Sequence, residues 1–212
     1  MTVIDLTHII SPEMPVYPGT ETPRLTPVFT CEKDGFRETL LSMFSHTGTH
    51  MDASAHVFSD GTTLDAFPVS QFVGPAAVVD CTDLGPGGQI TMEHIARNPA
   101  VRQAAFVLFR TGWERFWGEE TYFGDYPCIT PEVADWLAGS GKKGVGLDTI
   151  SLDPMAKLVL HRQLFRQHDM VIIENLCNLD RLPGGLFTLC ALPLKYPNAD
   201  GSPVRAVALL ED

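Results

Sequence analysis

Four side chains with metal-ligand and proton-transfer chemistry crowd one stretch of the sequence. They are His46, His50, Asp52 and His56, within HTGTHMDASAH at residues 46–56. The chain of 212 residues has seven histidines in all, so this is a concentration that an ordinary surface or core role does not require. Imidazole together with carboxylate suits zinc, manganese or ferrous iron, and not calcium. Three protein ligands leave a coordination position for water, the mark of a catalytic rather than a structural site. Water on such a metal ionises near neutral pH and becomes a hydroxide nucleophile. His56 need not bind metal, because an imidazole with an ordinary pKa of about 6.5 can shuttle the proton instead. A lone histidine is usually a surface or hydrogen-bonded core residue. Clustering around a flexible glycine is what favours metal binding here.

The spacing constrains the backbone. All four positions are even-numbered, so an extended chain points them to one face but holds residues 46 and 50 roughly 13 Å apart. Metal bonds of about 2.0–2.2 Å cannot span that gap. The chain must turn between the two histidines, and Gly48 at the midpoint permits unusual dihedrals. A helix would also bring positions four apart together, but Gly48 with the flanking Thr47 and Thr49 disfavours one. A strand end running into a tight turn is therefore expected. Further ligands must come from distant positions, and the candidates are His8, His94, His161, His168 and the acids. His161 stands just ahead of the apolar pair Leu164 and Phe165 in a helical stretch. Glu174 ends the apolar run MVIIE, where a carboxylate is costly unless paired or metal-bound. Both readings, ligand and salt-bridge partner, stay open for it. Asp148 at the end of GVGLD has the same character. His94, beside Glu93 and Arg97, reads as solvated, and His8 and His168 are undecided.

The elements that must position these groups are short. Apolar runs at 2–6, 76–81, 104–109, 144–148, 170–174 and 204–210 are strand-length and bounded by Gly, Pro or polar residues. Their continuous apolarity suggests burial on both faces. Helices are expected at 91–98 with Thr91 as cap, and at 157–168 with Leu160, Leu164 and Phe165 on one side. A third is expected in ITPEVADWLAGSG, with Thr130 as cap, Pro131 at the first helical position and Gly139 as stop. Strands separated by helices imply a single α/β domain with a mixed sheet over residues 1–212. The net charge of −11 disfavours nucleic acid and anionic membrane as partners. The sequence shows no signal peptide, no run apolar enough to span a membrane and no glycine fingerprint for a dinucleotide. Five scattered cysteines without a Cys-x-x-Cys pair read as buried free thiols of a cytoplasmic protein.

The pattern His-x-Gly-Thr-His-x-Asp followed by a further histidine resembles the signature of the cyclase family of metal-dependent hydrolases, which includes kynurenine formamidase-like and isatin hydrolase-like enzymes. DLTHIISPEMPVYPG, FVGPAAVVD, GLDTISLDP, HRQLF, IIENL and LPLKYPNADGSPVRAVAL match the rest of the family in order. The resemblance implies an α/β domain with a barrel-like or swivelling β/β/α sheet arrangement. It implies His46, His50 and Asp52 as ligands of a first metal, with Asp52 bridging to a second held by His161 and Glu174. Zinc, as one or two ions, is the metal implied, with manganese as the alternative. His56 matches the proton-transfer residue, and Tyr17 an aromatic position of the substrate loop. Ser54 stands where the family commonly has proline, which should loosen that loop. Homodimers or homotetramers are implied. The aromatic segment 111–123 departs from the better-known formamidases; core packing or oligomer burial is expected of Trp113 and Trp117. The expected activity is hydrolysis of a C–N amide bond in a small aryl formamide or cyclic amide. A lactonase or ester hydrolase using the same site, and a non-catalytic metal- or ligand-binding protein, are the alternatives.

Overall fold

Apolar runs from four separate parts of the chain lie side by side and parallel at the centre of the structure. The computed structural model describes residues 1–167 and 170–211, so His168 lies outside the described residues. In chain order the strands are β1 (Thr2–Asp5), β2 (Arg24–Phe29), β3 (Glu38–Ser42), β4 (His50–Asp52), β5 (Val73–Asp80), β6 (Gln89–Ile90), β7 (Phe106–Arg110), β8 (Cys128–Ile129), β9 (Gly144–Leu147), β10 (Val171–Glu174), β11 (Phe187–Pro193) and β12 (Gly201–Leu210). The helices are α1 (Cys31–Asp34), α2 (Met92–Arg97), α3 (Pro131–Gly139) and α4 (Val159–Gln167). β5, β7, β9 and β10 pair in parallel. Antiparallel pairing then carries the sheet from β5 through β11 to β12, and from β10 to β4. β4 also pairs with the start of β12. The order β12-β11-β5-β7-β9-β10-β4 thus returns to β12, and the mixed sheet closes into a seven-stranded barrel with β1 added on β12.

Alternate residues of the same strands serve two cores, as the period of a strand requires. Phe106, Leu108 and Ile173 pack with Met51, Leu189 and Ala206. Val107, Phe109, Val145 and Ile172 pack instead against Val133 and Leu137 of α3 and Leu160 and Leu164 of α4. β9 and β10 are buried at every residue, as the continuous apolar runs imply.

The helices form where their caps and stripes indicate. Thr130 accepts the Val133 N–H at 3.4 Å, Pro131 opens α3, and Leu160, Leu164 and Phe165 of α4 are buried. His94 corrects the reading from sequence: it is buried, not solvated. Its Nδ1 accepts the Thr91 N–H at 3.1 Å and completes a capping box. The thiols are free, but Cys31 is exposed and only Cys81 and Cys177 are buried. The hairpin β2–β3 and strand β11 were not anticipated. Among the described residues no helix is long and apolar enough to cross a membrane.

Candidate metal centre

β4 is three residues long and closes the barrel. His50 stands opposite Glu174 of β10, and Asp52 stands opposite Gly201 of β12. Residues two apart on a strand share a face, so His50 and Asp52 project together. The turn lies before the strand rather than after it, a reversal of the expected order, but its pivot is as expected. Gly48 has φ +63, a left-handed conformation that glycine adopts without a Cβ penalty. The turn brings His46 back over β4, with Nδ1 at 2.7 Å from Asp52 Oδ1 and Nε2 at 3.0 Å from Asp200 Oδ2. The ring lies directly over Gly201, where any Cβ would collide with it.

Two further imidazoles are aimed by what holds their far nitrogen. His50 Nδ1 lies 2.8 Å from the Gly48 carbonyl. A carbonyl only accepts, so Nδ1 carries a proton and Nε2 is the nitrogen left for a metal. His161 Nδ1 lies 2.8 Å from Asp153 Oδ2, and Asp153 also accepts the Leu160 and His161 N–H groups in the first turn of α4. Burial would raise the Asp153 carboxyl, but these donors hold it below its ordinary range, so it too is an acceptor. His50 Nε2 then points at Asp52 Oδ1 (3.2 Å) and Glu174 Oε2 (3.4 Å). His161 Nε2 points at Asp52 Oδ2 (3.5 Å) and Glu174 Oε1 (3.3 Å). These are distances without hydrogen-bond alignment. Glu174 Oε1 is buried and accepts no hydrogen bond. Two imidazole nitrogens and two carboxylates converging on one buried spot require cations, protons or a metal, among them. Imidazoles whose outer nitrogens are tied to a carbonyl and a carboxylate are how proteins orient metal ligands. The residues fit a divalent ion.

His50, Asp52 and Glu174 place one ligand atom each within a 4.8 Å circle, and so do His46, Asp52 and His56. Asp52 belongs to both sets. Burial would raise its carboxyl, but the facing imidazoles, His46 first and then His50 and His161, pull it well below the ordinary range. Glu174 is pushed upward, by burial first and then by the Asp52 charge. Burial lowers His46, but Asp52 and Asp200 outweigh it and hold the imidazole at about 9. His56 goes the other way. Burial lowers it to about 4, so it is neutral at pH 7 rather than poised near 6.5. Its ring is 4.0 Å from that of His46.

These groups open on a cavity of about 590 Å³ that Tyr17 also lines, with Phe44, Tyr126, Met155 and Leu158 as apolar wall. All six catalytic and ligand candidates and Tyr17 thus meet at one place. Asp148 does not. It lies away from the cavity and accepts the Thr111 and Gly112 N–H groups and the Thr111 hydroxyl. Segment 111–123 does not line the cavity; Trp113 and Tyr122 are core, packed with Tyr126 and Ile150. Ser54 Oγ accepts the Thr62 N–H at 2.7 Å. The sequence reading missed Asp153, Asp200 and Asn175, whose Nδ2 donates to the Gly48 carbonyl at 2.8 Å.

Known proteins share this arrangement of the chain. The family model described as Cyclase matches residues 4–154. An isatin hydrolase bound to the product analogue thioisatinate superposes with a TM-score of 0.87 at 26% identity, over 99% of this chain and 92% of its own. Isatin hydrolase A from Ralstonia solanacearum gives 0.88 at 27% identity, over 99% and 92%. A predicted metal-dependent hydrolase from Bacillus stearothermophilus gives 0.79 at 30% identity, over 98% and 97%. The family match contains His46, His50, Asp52 and His56, and the structural matches extend over His161 and Glu174. This chain belongs to the Cyclase family of metal-dependent hydrolases.

Proposed function

We propose that the chain hydrolyses a C–N amide bond in a small cyclic amide, with an aryl formamide as the neighbouring substrate class. His46, His50 and Asp52 hold one divalent cation, and Asp52, His161 and Glu174 a second; zinc is the first choice and manganese the alternative. Bound there, the metal supplies Lewis-acid polarisation of the carbonyl and activation of water. Asp153 and the Gly48 carbonyl keep the His161 and His50 lone pairs aimed. Neutral His56 accepts a proton at the cavity edge and returns it to the leaving nitrogen. Tyr17 and the apolar wall bind a flat, aromatic substrate and exclude water. Glu174, with one oxygen facing His50 Nε2 at 3.4 Å and the other, Oε1, buried without a hydrogen bond 3.3 Å from His161 Nε2, is the observation that carries the reading. The isatin hydrolases among the structural relatives favour a cyclic amide over a formamide.

The test is a panel of isatin-type lactams, aryl formamides and lactones, assayed after chelator treatment and again with zinc or manganese restored. Metal-dependent turnover of the lactams supports the proposal. Turnover confined to lactones makes the chain an ester hydrolase, and bound metal without turnover makes it a binding protein. We also propose a homodimer or homotetramer. The hairpin β2–β3 leaves Val28, Phe29, Leu40 and Leu41 exposed, an apolar surface that a second copy would cover; sedimentation equilibrium reads the mass directly.

A further inference from the structure

Away from the centre, a third set of ligand-type side chains converges. His8 follows β1, Glu114 lies in the turn after β7 and Cys177 follows β10, and their ligand atoms lie within 4.8 Å of one another. We propose that His8, Glu114 and Cys177 form a separate site for a thiophilic divalent cation of the zinc class. Nitrogen, oxygen and sulfur from three residues are a donor set that zinc accepts, with a fourth position left for water.

The three segments are locked independently of any ion. The Cys177 N–H donates to the Leu6 carbonyl at 3.1 Å, and the Asn178 N–H to Glu114 Oε2 at 2.7 Å. The His8 N–H donates to Thr49 Oγ1 at 3.0 Å. The His8 ring stacks flat on Trp117, with centroids 3.9 Å apart and planes 6° apart. Clamped in this way, its Nε2 is buried and has no hydrogen-bond partner, a condition that native structures seldom leave uncompensated. Capping Asn178 explains one oxygen of Glu114. The Cys177 sulfur accepts from Asn178 Nδ2 at 3.4 Å, but neither bond explains the imidazole beside them. Burial, then the charges of Glu114 and Asp5, push the Cys177 thiol up to about 12, so it ligates only where a cation displaces its proton. His8 also lines an open surface groove with Glu13 and Trp117, through which an ion can arrive. The set shares no residue with the metal centre, whose ligands include no sulfur.

That last difference gives the experiment. Chelator-stripped protein is titrated with cobalt(II) and the near-ultraviolet thiolate-to-cobalt charge-transfer band is followed; only a sulfur ligand produces it. The band should appear in the wild type and persist in His50→Ala, which disables the centre, and in Cys128→Ser. It should vanish in Cys177→Ser. His8→Ala and Glu114→Gln should each weaken cobalt affinity more than ~10-fold, the least that loss of even an outer partner costs a metal site. No band in the wild type, or a band surviving Cys177→Ser, overturns the proposal. Should Cys177→Ser fail to fold, unchanged affinity in His8→Ala and Glu114→Gln overturns it equally.

Discussion

Glu174 and Asp148 are two buried carboxylates at the same end of neighbouring parallel strands, β10 and β9, each behind an apolar run. In the sequence they look alike. In the structure Asp148 is saturated. It takes the Thr111 N–H at 2.9 Å, the Thr111 hydroxyl at 2.6 Å and the Gly112 N–H at 2.6 Å. Glu174 faces β4, whose backbone is occupied by the barrel, and finds two imidazole nitrogens and one unbonded oxygen of its own. A buried carboxylate is therefore diagnostic through its partners, not its burial. Where donors surround it, it fixes a turn; where acceptors surround it, it needs a cation.

The sharpest way to break this contrast is to neutralise Glu174 while keeping its shape. Glu174→Gln should lose metal from its subsite. Turnover should fall by roughly 10³-fold, the equivalent of the several kcal/mol that a metal contributes to a charged transition state. Melting temperature without metal should fall, because His50 and His161 lose a carboxylate that helps hold their protons. Elemental analysis of the purified variant alongside the hydrolysis assay checks both. Full metal content with full turnover would reduce Glu174 to a salt-bridge partner.

Within the centre, holding metal and moving protons should separate. His56→Ala should keep its metal and lose about 10²–10⁴-fold in turnover, the range of general acid–base assistance. A variant that loses metal instead would place His56 among the ligands, where its closeness to His46 and Asp52 also allows it. At the other carboxylate the effect should be on folding alone. Asp148→Ala strands the Thr111 and Gly112 donors and should cost about 3 kcal/mol in denaturant unfolding, with metal per chain unchanged.

How much of this could be read from the sequence follows from how far each cause reaches along the chain. His46, His50, Asp52 and the turn at Gly48 were legible because bond lengths to one ion restrict neighbours in sequence. His161 and Glu174 were legible from residue type only as anomalies, a histidine and an acid among apolar residues, and Asp148 was the same anomaly with a different outcome. Asp200 was invisible. It meets His46 across 154 positions of chain, and only closure of the barrel by β4 and β12 joins them. The parallel strands announced themselves by continuous apolarity. β11 alternates between buried and half-buried residues, and β2 and β3 are largely exposed, so neither carries that signal. The hydroxyl of Ser54, which ties the loop to Thr62, could not be placed from residue type alone.

The last contrast distinguishes the two carboxylate sites by pH. In the stripped protein burial alone would lower His46, but Asp52 and Asp200 hold it at about 9, above the ordinary 6.5, and His50 and His161 are raised as well. A group whose folded pKa is raised contributes stability that is complete below the unfolded value and is lost as pH climbs through the folded one. The stripped protein should therefore lose melting temperature between pH 6.5 and about 9. Burial raises the Asp148 carboxyl above 3.8, against the Thr111 and Gly112 donors that lower it. Metal binding must displace the histidine protons. Zinc then takes over the neutralisation of Asp52 and Glu174, and the alkaline decline should disappear when it is added. A decline that persists unchanged with zinc would mean that the imidazoles keep their protons and that the acids they face are served by hydrogen bonds, as Asp148 is.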